Sequence, residues 1–277
     1  MFVTKPQASA CVRKVRDVRI HSRSKQLKSA APPSAASEEA SLTPSRSIVV
    51  LTGAGISAES GIRTFRDSNG LWEDHRIDDV ATPEGFQRDP LLVQSFYNAR
   101  RRQLLSPEVA PNAAHHALVK LQKEFSGSFT LVTQNVDDLH ERAGNSDVIH
   151  MHGELLKMRC VRSNRIYEIK SDIDDKLTCA CCNQTKTLRP HIVWFGEMPL
   201  FMDEIIAKLA SCDLFISIGT SGQVYPAAMF VEYARHAHRI EINPENTERS
   251  HKFDRHIALP ASKGVAKIVE EILQTTS

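Results

Sequence analysis

Short continuous apolar runs recur along this chain, each ending in glycine or small polar residues, with helix-period segments between them. The runs fall at residues 48–51 (IVVL), 129–133 (FTLVT), 148–153 (VIHMHG), 214–221 (LFISIGTS), 239–243 (RIEIN) and 257–259 (IAL). They are rich in β-branched residues and mostly lack strict polar alternation, which predicts strands buried on both faces. Between them, Leu91, Leu92, Phe96 and Ala99 recur at helical spacing behind an Asp89-Pro90 start signal. Ala114, Leu118 and Leu121 do the same over 111–125, and further helices are predicted over 200–209, 227–236 and 265–273. Strands alternating with helices define an α/β class, a parallel sheet covered by helices on both faces. In such sheets ligands bind beyond the carboxyl ends of the strands. The polar ends Gly53, Asn135, His152, Gly219 and Asn243 are therefore expected around one crevice.

The first run leads directly into Gly53, Gly55 and Ala58, a G-x-G-x-x-A pattern at a strand-to-helix turn. Glycine lets the backbone turn sharply and approach a pyrophosphate, whose charge the start of a helix favours. The same glycines also suit a turn that only packs closely. The continuation narrows the choice. An ordinary dinucleotide-binding unit continues into a helix, a second strand and an acid about 20 residues on. Here residues 61–70 (GIRTFRDSNG) are short, polar and glycine-bounded, which predicts a loop. Asp74 and Asp78 lie near the expected spacing without an apolar strand before them. A phosphate-binding turn feeding a mobile loop disfavours a plain dehydrogenase.

Residues 160–187 break the alternation. Cys160 is followed at a distance by Cys179-Ala180-Cys181-Cys182. Cys179 and Cys182 form a C-x-x-C pair, which with a distant third cysteine suits a structural zinc ribbon. The position expected for the partner of Cys160 holds Ser163, so Cys181 is the alternative source of a fourth thiolate. A pocket of reduced cysteines without metal is the competing reading. Such clustering argues against extracellular disulfides and for a reducing compartment.

Charge divides the chain. Residues 1–28 carry eight Lys or Arg and one acid, and the remainder carries 27 bases and 32 acids. This basic arm lacks the apolar core of a secretory signal. It reads as a solvated arm, with a transit peptide or a nucleic-acid-touching tail as alternatives. Residues 29–46, rich in Ser, Ala and Pro, read as a linker. Nothing approaches the apolar length of a membrane span.

Two groups carry candidate chemistry. His152 ends a strand on the expected ligand side and is the candidate general base, against the alternative of a core histidine held by a backbone bond. Tyr97 and Arg100 stand at i and i+3 on one helix face, where a hydroxyl and a guanidinium suit a carboxylate. Arg101 and Arg102 follow, and the competing reading is a charged run in water.

The segments GAGISAESGIRTFRDSNGLW, TQNVDDLHERAG, HMHGEL and SIGTSGQVYPAA together resemble the sirtuin family of NAD-dependent protein deacylases, and YNARRRQ is most similar to its bacterial CobB-type, or class III, members. The resemblance covers residue 47 to the C-terminus. It implies a Rossmann-like NAD part (about 47–66, 111–155 and 188–277), with a small domain of a zinc module and a helical insertion (about 67–110 and 156–187). It implies NAD contacts at Gly53, Ala54, Gly55, Ala58, Glu59, Thr64, Phe65, Arg66 and Trp72 on the first turn and loop. Further contacts are implied at Gln134, Asn135, Val136 and Asp137, at Gly219, Thr220 and Ser221, and at Asn243, Pro244, Glu245 and Ala261. His152 matches the catalytic base, with Asn135 orienting the ribose or a water and Asp137 holding the nicotinamide amide. Tyr97 and Arg100 match the pair that recognises acidic acyl groups, and Cys160, Cys179 and Cys182 match zinc ligands. The implied reaction removes acetyl and succinyl groups from protein lysine, releasing nicotinamide and O-acyl-ADP-ribose. The alternatives are protein ADP-ribosyl transfer by the same NAD cleavage, and a non-catalytic NAD- or nucleic-acid-binding module. A monomer in the cytoplasm, acting on acylated proteins with no membrane partner, is the expected setting, with nucleic acid contacted only through the arm.

Overall fold

The computed structural model describes residues 45–62, the backbone of 71–72, and 75–275. The arm, and Thr64, Phe65 and Arg66, lie outside the described residues, as does the side chain of Trp72.

Chain order gives strands β1 (Ser47–Thr52), β2 (Leu71–Trp72), β3 (His75–Arg76), β4 (Ser128–Thr133), β5 (Ile149–His150), β6 (Gly153–Cys160), β7 (Ile166–Glu168), β8 (Leu188–Ile192), β9 (Leu214–Ile218), β10 (His238–Ile242) and β11 (Arg255–Ile257). The helices are α1 (Ala54–Ser57), α2 (Ile77–Val80), α3 (Pro83–Arg88), α4 (Pro90–Leu104), α5 (Ala113–Glu124), α6 (Leu139–Ala143), α7 (Met202–Ser211), α8 (Phe230–Tyr233) and α9 (Ala261–Thr275). The main sheet has the order β11-β10-β9-β1-β4-β5, and every neighbouring pair is parallel. Five residues of β1 are buried because the sheet is covered on both faces. α5 and α9 pack Leu118, Leu121, Val265 and Ile268 against one face; α7 and α8 pack Ile205, Leu209, Phe230 and Val231 against the other. No helix among the described residues is long and apolar enough to cross a membrane.

The crossover from β1 to its neighbour β4 carries the short β2-β3 pair and α2, α3 and α4 instead of a strand of the main sheet, as the missing second strand predicts. α4 begins as its sequence announces, with Asp89 accepting from the Leu92 N–H at 3.0 Å and Pro90 in the first turn. A separate antiparallel sheet, β7-β6-β8, runs between Gly153 and Ile192. The cysteine loop hangs from it.

Several expectations need correction. The 148–153 run is not one strand. It breaks at Met151-His152, and β6 starts at Gly153, which takes φ +81° and where a side-chain carbon would lie 2.1 Å from the His191 carbonyl oxygen. The 227–236 segment is a 3-10 turn followed by one turn of helix. The apolar face of α4 is not centred on Leu91, which is 59% exposed. Its buried face combines Val93, Phe96, Tyr97 and Leu104 with the polar Gln94, Asn98 and Arg101. Arg101, which the competing reading put in water, is fully buried and donates to the carbonyls of Leu155 and Ser171 and to Asn98 Oδ1. Only Arg102 keeps to the surface, paired with Asp172.

Candidate active site

The glycine turn after β1 meets the turn after β9. The Gly53 N–H donates to the Ile218 carbonyl at 2.9 Å, and the Gly55 N–H to the Gly219 carbonyl at 2.8 Å. A side-chain carbon on Gly55 would lie 2.6 Å from the Gly219 Cα. The glycines therefore serve close backbone packing between the turns after β1 and β9. The helix behind them is shorter than expected: α1 is a single turn, continued by a 3-10 turn over Ala58–Ser60. The Gly53, Gly55 and Ile56 N–H groups already donate to carbonyls, so what this end offers a ligand is close backbone approach. Ala54 and Gly55 are half-buried and Ala58 is exposed. Glu59 accepts from the Ser262 N–H and hydroxyl at 3.0 and 2.7 Å, tying the turn to the start of α9 beside Ala261.

The loop after β4 crosses this turn. The Asn135 Nδ2 donates to the Gly53 carbonyl and to Ser57 Oγ, both at 3.1 Å. Ser57 Oγ donates on to Asp137 Oδ2 at 3.0 Å, and the Leu139 N–H donates to Asp137 Oδ1 at 3.2 Å. Ser57 was not singled out in the sequence. Its signal is a hydroxyl inside an apolar turn, buried to 1% exposure. Burial pushes the Asp137 carboxyl up to about 6, against the pull of its Leu139 and Ser57 hydrogen bonds. Val136 packs beneath, against the cluster that holds Tyr97 and Trp194.

His152 sits at the β5–β6 break. Its Nδ1 lies 3.0 Å from the Gln134 carbonyl oxygen. A carbonyl only accepts, so Nδ1 carries the proton and Nε2 of the neutral ring is left as the basic nitrogen. Burial holds the ring below its usual titration range, opposed by this hydrogen bond. On the opposite side, the Gly219 N–H donates to the Ile242 carbonyl at 2.9 Å, and Asn243 Nδ2 to the Thr220 carbonyl at 2.8 Å. Ser221, Pro244 and Glu245 line the exposed rim. The strand ends expected around one crevice are thus linked by direct contacts.

Two further groups of candidate residues lie on α4 and beside the small sheet. Tyr97 is fully buried, and its phenol oxygen accepts from Trp194 Nε1 at 3.0 Å. Arg100, one turn along, is half-buried with its guanidinium carbon 5.0 Å from the Phe96 ring centre. The Arg100 Nε is buried and has no hydrogen-bond partner among the described residues, which leaves a donor for an anion. In the small sheet, the sulfurs of Cys160, Cys179, Cys181 and Cys182 all lie within 4.8 Å of one another. Cys160 and Cys182 are 3.9 Å apart and Cys179 and Cys181 3.2 Å. A tetrahedral zinc with sulfur at about 2.3 Å sets its sulfurs roughly 3.8 Å apart, so the four residues fit one zinc ion. Ser163 Oγ stands 3.0 Å from the Cys181 sulfur, outside the set.

Fold and crevice together define a dinucleotide-binding α/β protein with a cysteine module that fits zinc. Residues 53–226 match the Sir2 family model, and the chain belongs to that family. It is 59% identical over 229 residues to the NAD-dependent protein deacylase of Escherichia coli K12, covering 82% of each chain. It is 60% identical over 232 residues to the Vibrio cholerae protein of the same name, covering 83% of this chain and 94% of that one. Among solved structures, a Sir2 homologue in complex with NAD aligns with TM-score 0.76 at 38% identity, over 84% of this chain and 91% of that one. Sir2Af2 bound to a myristoylated histone peptide aligns with TM-score 0.64 at 31% identity, over 83% and 92% of the two chains.

Proposed function

We propose that residues 47–277 form an NAD-dependent protein-lysine deacylase that removes acetyl and acidic acyl groups such as succinyl. The observation that carries the reading is His152, whose Nδ1–H is committed to the Gln134 carbonyl, which leaves Nε2 as the basic nitrogen. NAD is a substrate in this reading. The acyl amide oxygen takes the ribose carbon, and nicotinamide leaves neutral with the bonding pair. His152 Nε2 takes the proton of a ribose hydroxyl, whose oxygen then attacks the acyl carbon. With one water consumed, the products are free lysine, nicotinamide and O-acyl-ADP-ribose. Asn135, fixed by Gly53 and Ser57, orients the ribose or the water. Asp137, held by Ser57 and Leu139, receives the nicotinamide amide. Gly53, Gly55 and Ala58 take the pyrophosphate side, and Gly219, Thr220, Asn243 and Ala261 the adenosine side.

Tyr97 and Arg100 receive the carboxylate of an acidic acyl chain, a role supported by the buried Arg100 Nε, which has no hydrogen-bond partner among the described residues. Cys160, Cys179 and Cys182, with Cys181 in place of a cysteine at 163, hold a structural zinc that closes the small sheet. Such a thiolate set suits a reducing compartment such as the cytoplasm. A monomer suffices, since every group named comes from one chain. The test is incubation with NAD and matched acetyl- and succinyl-lysine peptides, read by mass. Loss of the acyl mass from both supports the reading; acylated peptide left intact beside ADP-ribosylated protein would replace it with ADP-ribosyl transfer.

A further inference from the structure

We propose that His140 is a positioning residue for the reaction: with Thr52 and Thr133 it closes a side-chain clasp across the loop that carries Gln134, Asn135 and Asp137. This rests on the deacylase reading of His152 and Asn135 given above. The loop leaves β4 at Thr133 and enters α6 at Leu139. Thr52, Thr133 and His140 are all buried, at 1% exposure or less. Thr52 Oγ1, at the end of β1, stands 2.9 Å from Thr133 Oγ1 and 3.0 Å from His140 Nε2. Thr133 Oγ1 also accepts from the Asn135 N–H at 3.0 Å, a contact two residues along the chain that threonine favours at a turn. One threonine of β1 thus joins the residue before the loop to a residue just after it.

The Thr52 hydroxyl has one proton and gives it either to Thr133 or to His140. If His140 Nε2 donates, Thr52 donates on to Thr133; if Nε2 accepts, Thr133 donates to Thr52 and Thr52 to the ring. In both orders a lone pair of Thr133 stays with the Asn135 N–H. Between these contacts the Gln134 N–H donates to the Thr52 carbonyl at 2.9 Å, and the Gln134 carbonyl accepts from His152 Nδ1 at 3.0 Å. The aim of the base and the placing of Asn135 are therefore both set by backbone that the clasp holds. The His140 ring is backed by His115 of α5, 5.0 Å away between ring centres. His115 is itself fixed, its Nδ1 accepting from the Asn112 N–H at 3.2 Å. Burial pushes the His140 pKa down to about 3, with His115 and His150 adding repulsion. A ring that stays neutral in this way acts by holding, not by taking a proton from substrate.

The full chain is assayed on an acetyl-lysine peptide, and each rate is divided by the NAD-binding stoichiometry from calorimetry, so that unfolded protein does not count. His140→Leu removes the nitrogen that faces Thr52. The expected result is a fall of about tenfold in kcat per NAD site, with KM for NAD changed by less than about twofold. His140→Gln returns an amide within reach of Thr52 and is expected to bring kcat back to within about threefold of wild type. Thr133→Val keeps the shape and removes the acceptor of the Asn135 N–H, and is expected to lower kcat at least as far as His140→Leu. In that background His140→Leu is expected to cost less than about twofold more, since the clasp is already cut. An unchanged kcat in His140→Leu, equal losses in the Leu and Gln variants, or a fully additive loss in the double variant overturns the proposal. Should His140→Leu bind no NAD, Thr133→Val decides, and a kcat within about twofold of wild type counts against the clasp. The two readings fail separately. If the wild-type protein leaves the peptide acylated, the deacylase reading is wrong; if it deacylates while His140→Leu and Thr133→Val keep the full rate, only the clasp falls.

Discussion

His152 and Gln134 are joined by a hydrogen bond of 3.0 Å between the ring Nδ1 and the backbone carbonyl, and this contact fixes which histidine nitrogen is basic. Gly153 makes the contact possible, because only glycine fits its φ of +81° against the His191 carbonyl. The ring's titration lies below its usual 6.5, depressed by burial. The base is therefore competent above that range, and kcat/KM is expected to be flat at neutral pH and to fall on the acid side below 6.5. His152→Tyr is expected to retain NAD binding, measured by calorimetry, and to lose roughly 10²- to 10⁴-fold in turnover. A mutant of near-normal rate removes His152 from the base role.

Asp137 couples function to stability with an unfavourable sign. Its carboxyl is raised from 3.8 to about 6 in the folded chain, chiefly by burial. The folded state therefore holds a proton that the unfolded state releases, so stability falls as pH rises between those two values. The cost persists above them. Asp137→Asn keeps the contacts to Leu139 and Ser57, because the Ser57 hydroxyl can turn to accept. It is expected to stabilise the protein at pH 8 by up to ~3 kcal/mol while abolishing turnover. Chemical denaturation at pH 8 measures this, and a less stable variant contradicts it.

Much of the fold was legible because buried parallel strands write themselves as unbroken apolar runs. β1, β4, β9, β10 and β11 fall within a few residues of those runs. The crevice was legible for the same reason, since polar residues at strand ends stand out. The buried face of α4 was not. Gln94, Asn98 and Arg101 are buried to bond the carbonyls of Leu188, Ile173 and Leu155. Such partners lie far along the chain and leave no period in the sequence. Ser57 escaped notice likewise, because it matters through hydrogen bonds to the distant Asn135 and Asp137.

Arg100 is half-buried beside Phe96, with its Nε unmet among the described residues. Arg100→Met keeps the apolar stem and removes the charge. Desuccinylation kcat/KM is expected to fall about 100-fold, with deacetylation changed much less, because a carboxylate loses a charge-assisted pair and an acetyl loses nothing. Steady-state kinetics on matched peptides checks this, and equal losses on both would remove Arg100 from acyl selection.

The cysteine set makes a prediction about position 163. Cys181 stands with Cys160, Cys179 and Cys182 within 4.8 Å, and Ser163 only touches it. Cys181→Ser is expected to weaken zinc at least about tenfold, read by chelator competition, and to change the absorption of the cobalt-substituted protein. Adding Ser163→Cys is expected to restore a four-thiolate spectrum. Full zinc affinity in Cys181→Ser removes Cys181 from the ligand set.

The central claim is that NAD is consumed by bond cleavage and carries the acyl group away. The most direct measurement is product stoichiometry in one reaction with a succinyl-lysine peptide and NAD, by mass spectrometry and nicotinamide release. Free lysine peptide, nicotinamide and O-succinyl-ADP-ribose in equal amounts is the expected result. NADH formation, or nicotinamide release with the peptide still succinylated and no acylated ADP-ribose, would contradict it.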